Sequence, residues 1–416
     1  MGDSFLDSAL QIGRRLCADA IWWEDRCTWL GDSPTGGRGR QQTLNTVSFN
    51  HDMYGGTSGV ALFLARLGEL VDDRIIQRTA GAAARHAHSR VLIESSDGKA
   101  GFYDGRMGVG WALIQAGECL TQPDLIARGV QVLKFVANQP ISDFRTDVIA
   151  GAAGRIAGIL TLPDEYKIEP IIPWSHGLAN RLVETAVDFE NGVAWHMSSA
   201  YEDRRPLTGL AHGVAGIVWA LAEFNQVAND SQIATAIEKG LQYERHWFQK
   251  DQGNWPDLRH VESDARPADS TPPCMTAWCH GAPGIGLARL RMFEMSGDPA
   301  LKEEAEIATE TTAAWLRRFL ETGVGNFSLC HGVAGNAETS IVASRILDRP
   351  DLFELACEVG ERGLELYGGH KRAWPCGFKS EGYTPNLMLG WAGTGYFYLR
   401  LFDPERTPSI LLPGSH

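Results

Sequence analysis

The chain has 416 residues, 44% hydrophobic and 21% charged, enough to bury a large core, and a formal net charge of −13. That acidity, with no run of Lys or Arg, argues against nucleic acid as a partner, because phosphate binding needs a basic face. No stretch approaches about eighteen uninterrupted apolar residues, and "MGDSFLDSAL" lacks the basic-then-apolar order of a secretory signal, so a cytoplasmic protein with no membrane span is expected. In that reducing compartment Cys17, Cys27, Cys119, Cys274, Cys279, Cys330, Cys357 and Cys376 are expected as buried thiols or metal ligands rather than disulfides.

Glycine, at 46 residues, exceeds its usual share of about 7%. An internal repeat accounts for the excess: a Gly-x-x-G step recurs, each time opening an apolar stretch of helical periodicity. In chain order the copies are "GGTSGVALFLARL" at Gly56, "DGRMGVGWALI" at Gly105, "AGAAGRIAGIL" at Gly151, "HGVAGIVWALAEF" at Gly213, "HGAPGIGLARL" at Gly281, "HGVAGNAETSIVAS" at Gly332 and "LGWAGTGYFYLRL" at Gly390. The spacing of these glycines suits two helices and their loops per repeat. More charged helical patterns do lie between the copies, from Arg74, Ser231 and Ala300, each with one solvated face. Alternating inner and outer helices of this kind form an open solenoid or a closed ring. Closure is expected, since neither the first nor the last copy is a polar cap. The fold class is all-α, and the glycines are read as scaffold that lets inner helices start tightly against their neighbours.

If all inner helices start at one end of the ring, the residues just before the first glycines converge near its axis. Those pairs are Tyr54 and Gly55, Tyr103 and Asp104, Ile149 and Ala150, Ala211 and His212, Cys279 and His280, Cys330 and His331, Met388 and Leu389. Ligand-grade side chains cluster in the fourth, fifth and sixth copies. Thiolate and imidazole favour zinc, and three protein ligands would leave the open fourth position of a catalytic site.

The seven glycine-led helices together with "WCHGAPGIG", "CHGVAG" and "GLAHGVAG" resemble the LanC-like proteins, the lanthionine synthetase cyclases that form thioether rings in lanthipeptides, from roughly residue 45 to 402. The resemblance implies a single α/α-toroid domain over 1–416, with seven inner and seven outer helices. It implies Zn²⁺ held by Cys279, Cys330 and His331, His212 as catalytic acid/base, and Asp147 of "TDVIAGAAG" as its acidic partner. Asp147 also suits capping the third inner helix. Some cyclases have an Arg four residues before the first zinc cysteine. Here that residue is Met275, and His280 is the expected substitute for part of such a cation's role.

The chemistry implied is addition of a metal-activated Cys thiolate to dehydroalanine or dehydrobutyrine, followed by protonation at the α-carbon. The substrate partner is then a dehydrated precursor peptide. No kinase, phosphate-binding or dehydratase segment is expected within these residues, so dehydration is assigned to a separate dehydratase or to a portion of a larger chain. Two rival readings are a LanC-like enzyme that adds glutathione to dehydrated residues and a non-catalytic, zinc-stabilised peptide-binding scaffold.

Other candidates are read as structural. His176 of "WSHGLAN" lies off the repeat register and suits packing or capping of the fourth outer helix, and Cys376 of "WPCGF" suits a buried thiol. The connections 251–274 and 368–385 are rich in Gly, Pro and Asp and lead into inner-helix starts, so both are expected beside the site. Trp255, Trp278 and Trp374 are candidate peptide contacts or packing residues there.

Overall fold

The computed structural model of the chain describes residues 2–35, 43–91, 93, 99–139, 144–167, 169–198, 200, 202, 204–259, 261, 272–369, 372–378 and 382–414. Parts of both long connections, 260, 262–271, 370–371 and 379–381, lie outside the described residues. All seven glycine-led stretches are helices: α2 (Thr57–Val71), α4 (Arg106–Cys119), α6 (Ala152–Leu160), α8 (Val214–Ala228), α10 (Ala282–Ser296), α12 (Val333–Ile346) and α14 (Trp391–Phe402). The seven outer helices are α1 (Gly2–Asp19), α3 (Arg74–Val91), α5 (Pro123–Ala137), α7 (Ile171–Glu184), α9 (Ser231–Trp247), α11 (Pro299–Thr322) and α13 (Pro350–Tyr367).

Burial separates the two sets as the residue patterns require. Thr57 to Ala65 of α2 are buried without interruption, as befits a helix enclosed by protein on every side. The outer helix α9 buries only a stripe, including Ile233, Ala236, Gly240 and Tyr243. The second glycine of each repeat has one steric cause. A Cβ on Gly216 would lie 2.0 Å from the carbonyl oxygen of Leu210, and one on Gly335 would lie 1.8 Å from that of Leu329, six residues earlier in both cases. The chain folds back on its own helix start too closely for any side chain.

Each inner helix packs on the next, and α14 packs on α2, so the ring is closed. The partner of α14 on the outside is α1, so the first and last helices of the ring seal it together. After α14 the chain turns into the centre. Ile410, Leu411 and Leu412 are buried there, with the carbonyl of Ile410 accepting from Tyr103 Oη and that of Leu411 accepting from Trp278 Nε1 at 3.0 Å. Tyr103 and Trp278 belong to the second and fifth repeats, so this segment fills the hole between opposite walls.

The all-α expectation holds. Among the described residues three two-stranded antiparallel hairpins decorate the ring: β1 (Ile21–Trp23) with β2 (Arg26–Thr28), β3 (Leu30–Thr35) with β4 (Thr43–Ser48), and β5 (Val187–Phe189) with β6 (Gly192–Ala194). The strands of the first and third hairpins have three residues each, too few for an alternating pattern to stand out, and the Glu190-Asn191 turn between β5 and β6 runs into Gly192 at φ 126°, a backbone conformation that favours glycine. No helix among the described residues is long and apolar enough to cross a membrane.

Candidate metal centre and reaction cavity

At the end of the ring where the inner helices begin, the residues two before each first glycine are joined by a closed belt of backbone hydrogen bonds. Tyr54 donates to Tyr103 (2.8 Å), Tyr103 to Ile149 (3.0 Å), Ile149 to Ala211 (3.3 Å), Ala211 to Cys279 (3.4 Å), Cys279 to Cys330 (3.2 Å), Cys330 to Met388 (3.0 Å) and Met388 back to Tyr54 (3.1 Å). These buried amides have no helix or sheet to pair with, and the belt satisfies them. It also brings the side chains of successive repeats to the axis, Cys279 directly beside Cys330.

Among the described residues one group of Cys, His, Asp or Glu side chains is close enough to hold a metal ion. The ligand atoms of Cys279, Cys330 and His331 all lie within 4.8 Å of one another. His331 Nε2 is 2.7 Å from the carbonyl oxygen of Gly377; donation there leaves Nδ1 as the free lone pair. The neighbour Cys376 is buried and hydrogen-bonded to the Trp374 and Thr384 carbonyls, away from the trio. Thus the "WPCGF" loop contributes a carbonyl that orients His331, not a thiol.

The two thiols are unequal. Hydrogen bonding from Cys279 pulls the Cys330 thiol below its ordinary range despite burial, with the Tyr54 hydroxyl and Arg259 helping. Cys279, which holds the proton between them, is pushed well above. Two thiols of unequal acidity with an oriented imidazole alongside have the donor chemistry of a zinc centre with room for a fourth ligand.

Beside the trio, His212 Nδ1 lies 2.5 Å from Asp147 Oδ2. Burial alone would lower the imidazole pKa, but the hydrogen bond and charge of Asp147, with Cys279 adding, outweigh it and the value is raised. The second oxygen of Asp147 accepts from the amide of Ala150 at 2.9 Å, ahead of the Gly151 cap of α6. The loop carrying His212 is held from behind by Glu244 of α9. Its carboxylate accepts from the amides of Gly209 and Ala215, both at 3.1 Å, and pairs with the fully buried Arg289 at 2.7 Å.

His280 is buried, with its ring centroid 6.1 Å from that of His212. Burial, with the nearby positive charge of Arg259, pushes its pKa down to about 3. Burial thus favours the neutral form of His280. A guanidinium lies close by: Arg259 Nη2 is 3.1 Å from the sulfur of Met275. Tyr54, in register with Cys279 and Cys330 along the belt, stands at the axis where its repeat position puts it, with its hydroxyl beside Cys330. Arg204, Arg205 and Arg259 lie outside every repeat, and no pattern in the sequence marks them.

These groups line a cavity of about 360 Å³, whose walls include Tyr54, His212, Arg259, Cys279, His280, Cys330 and His331, together with Arg204, Arg205 and His196. In a chain of net charge −13 this cavity is conspicuously basic. None of the three candidate tryptophans lines it. Trp255 packs on Phe248, Trp278 on Tyr103, and Trp374 on Phe327 and Tyr398. His176, in α7, packs edge-on against Phe224.

Fold and centre together define an α/α-toroid with a thiol-and-imidazole site at its axis. The chain belongs to the family described as lanthionine synthetase C-like protein, whose sequence model matches residues 48–412. It is 24% identical over 345 residues to the nisin biosynthesis protein NisC of Lactococcus lactis subsp. lactis, covering 75% of this chain and 79% of that one. It is 27% identical over 278 residues to "Glutathione S-transferase LANCL1" of Danio rerio, covering 62% of this chain and 60% of that one. With the lacticin 481/lactococcin biosynthesis protein LcnDR2 of the same Lactococcus it shares 24% identity over 64% of this chain, spanning only 26% of that relative's length. Nisin cyclase has the same fold, with a TM-score of 0.62 at 19% identity over 87% of this chain and 92% of that one. A GH76 α-mannanase of Bacteroides thetaiotaomicron also shares it, at a TM-score of 0.50 and 8% identity. The toroid alone therefore does not select a chemistry.

Proposed function

We propose that the chain is a zinc-dependent lanthionine synthetase, closing thioether rings in a peptide already dehydrated by a separate enzyme in the cytoplasm. The observation that supports this most is the meeting, in one cavity, of the Cys279, Cys330 and His331 trio with the His212–Asp147 pair. Bound by the trio, Zn²⁺ would lower the pKa of an incoming substrate thiol so that it is thiolate near neutral pH. The thiolate adds to the β-carbon of dehydroalanine or dehydrobutyrine, and the double-bond electrons move toward the neighbouring carbonyl as an enolate. His212, kept as imidazolium by Asp147, gives its proton to the α-carbon. The sum is S–H added across C=C, and His212 regains a proton from the next thiol. His280 contributes a neutral ring N–H or lone pair at the cavity wall, and its part is to contact substrate rather than to carry charge.

A second reading keeps the centre and changes the thiol. The three lining arginines, Arg204, Arg205 and Arg259, suit the carboxylates of a small anionic thiol, and one relative is named a glutathione S-transferase. The separating experiment offers one dehydrated peptide its own cysteine or external glutathione. His212→Asn tests both readings against a non-catalytic scaffold: retained zinc and fold with thioether formation reduced by about 10²-fold or more supports an enzyme. Unaltered function in that variant supports the scaffold.

A further inference from the structure

Addition of a thiolate to a dehydrated residue builds negative charge on a carbonyl oxygen, and on the reading above neither the trio nor His212 is placed to meet it, both being committed to the sulfur and to the α-carbon. The cavity wall offers arginines. Arg205 is stacked over Phe189 and Trp247. Arg259 is held differently. Its Nε lies 2.9 Å from each oxygen of Asp257, its Nη2 2.5 Å from Oδ2, and its own amide donates to Oδ1 at 3.1 Å.

That clamp is in turn anchored. The amide of Asp257 donates to the Pro273 carbonyl at 3.0 Å, Thr208 Oγ1 to that of Pro256 at 2.8 Å, and Asn254 Nδ2 to that of Met275 at 3.1 Å. The segment therefore lies against the stretch of chain leading into Cys279. Nη1 of Arg259 makes no hydrogen bond among the described residues, and the group is near enough to both Cys279 and Cys330 for their charges to act on it.

We propose that Arg259, clamped by Asp257, is the catalytic cation that stabilises the enolate oxygen in this site, reaching it across the side chain of Met275 from the segment that follows α9. This rests on the thiol-addition reading. Its N–H groups donate to the oxygen as the S–C bond forms and the C=C electrons shift. The enolate then collapses by taking the His212 proton at carbon, and Arg259 neither gains nor loses a proton. A donor aimed at charge that develops only in the transition state is typically worth about 10² to 10³ in kcat where water is excluded, and with 44% of its side chain exposed Arg259 belongs at the lower end of that range.

The test compares Arg259→Met, Arg259→Lys and the exchange Arg259→Met with Met275→Arg, which returns a guanidinium to the same spot from the other segment. Arg259→Met should keep zinc and melting temperature, lose about 10²-fold in kcat, and recover most of it in the exchange variant, with Arg259→Lys between. Unchanged kcat, or a loss confined to KM, overturns the proposal. A measurement without turnover separates it from the reading it rests on. A saturated peptide bearing a nitronate where the enolate would form should bind Arg259→Met about 10²-fold more weakly than the parent, while the same peptide without the nitro group binds both alike. If the parent adds no thiol at all, the cyclase reading fails, and equal nitronate binding by parent and variant would sink the role of Arg259 as well.

Discussion

The amide of Cys279 donates to the carbonyl of Cys330 at 3.2 Å, one link of a seven-membered belt that returns to its starting residue. Two thiols 51 positions apart in sequence are thereby fixed side by side by the backbone. An ion held by both cysteines would bridge two repeats whose contact is needed for the belt, so metal binding and ring closure would be coupled. Cys279→Ala and Cys330→Ala should each lose zinc, and chelation of the parent should lower its melting temperature. Full metal content in either variant, read by elemental analysis, would exclude this ligand set.

Gly377 is the outer support of that centre. A Cβ there would stand 3.0 Å from His331 Nε2 and 2.9 Å from Leu389, so Gly377→Ala should displace the carbonyl that orients the ring. Zinc affinity, measured by competition with a chromogenic chelator, should fall by about 10- to 100-fold, with the fold retained.

The His212–Asp147 pair makes a pH prediction whose direction is set by the raised imidazole pKa. The proton donor is present below that value and lost above it, so turnover should fall as pH rises through it. Asp147→Asn removes the main partner, and the alkaline limb should move to lower pH. The stability the pair contributes should be complete below the ordinary histidine value of about 6.5 and disappear as pH rises through the raised one. The cost of Asp147→Asn in denaturant unfolding should therefore be largest on the acid side. An alkaline limb that does not move would disconnect Asp147 from His212.

The central segment should matter to stability out of proportion to its length. Leu412 is fully buried, and Leu412→Ala should cost about 2 to 5 kcal/mol, measured by chemical denaturation. Trp278 directly precedes a ligand and hangs by its indole N–H from the Leu411 carbonyl, so removing residues 407–416 should also weaken zinc binding. Unchanged zinc affinity in the shortened chain would mean that the belt alone positions Cys279.

Alanine is normally a better helix residue than glycine by roughly 1 kcal/mol. Gly216→Ala in α8 should show the opposite sign, because its Cβ meets the Leu210 carbonyl at 2.0 Å. A destabilisation is the expected outcome in thermal melting, and a rise in melting temperature would refute the close-approach account of the repeat.

Much of this arrangement is legible in the chain because the repeat is. Gly-x-x-G at Gly213, Gly281 and Gly332 marks the turn that sends the preceding residue pair to the axis, so the neighbours His212, Cys279, Cys330 and His331 could be placed together from spacing and register. Asp147 was reachable only through family resemblance, since one Asp ahead of a helix suits a cap equally well, and it does serve the Ala150 amide while holding His212. The cation was not legible. Arg259 reaches the cavity through an irregular segment whose path depends on Asp257, Asn254 and Thr208, and no periodicity encodes such tertiary contacts. The hairpins were missed for a related reason: three-residue strands such as Val187–Phe189 carry no alternation to detect.

The most direct test of the whole account is the free-thiol content of a peptide bearing one cysteine and one dehydroalanine, followed over time with the purified protein, with the chelated protein and after zinc is restored. The account predicts thiol loss without change in peptide mass, arrested by chelation and resumed with zinc. Thiol loss at the protein-free rate in all three samples would contradict it.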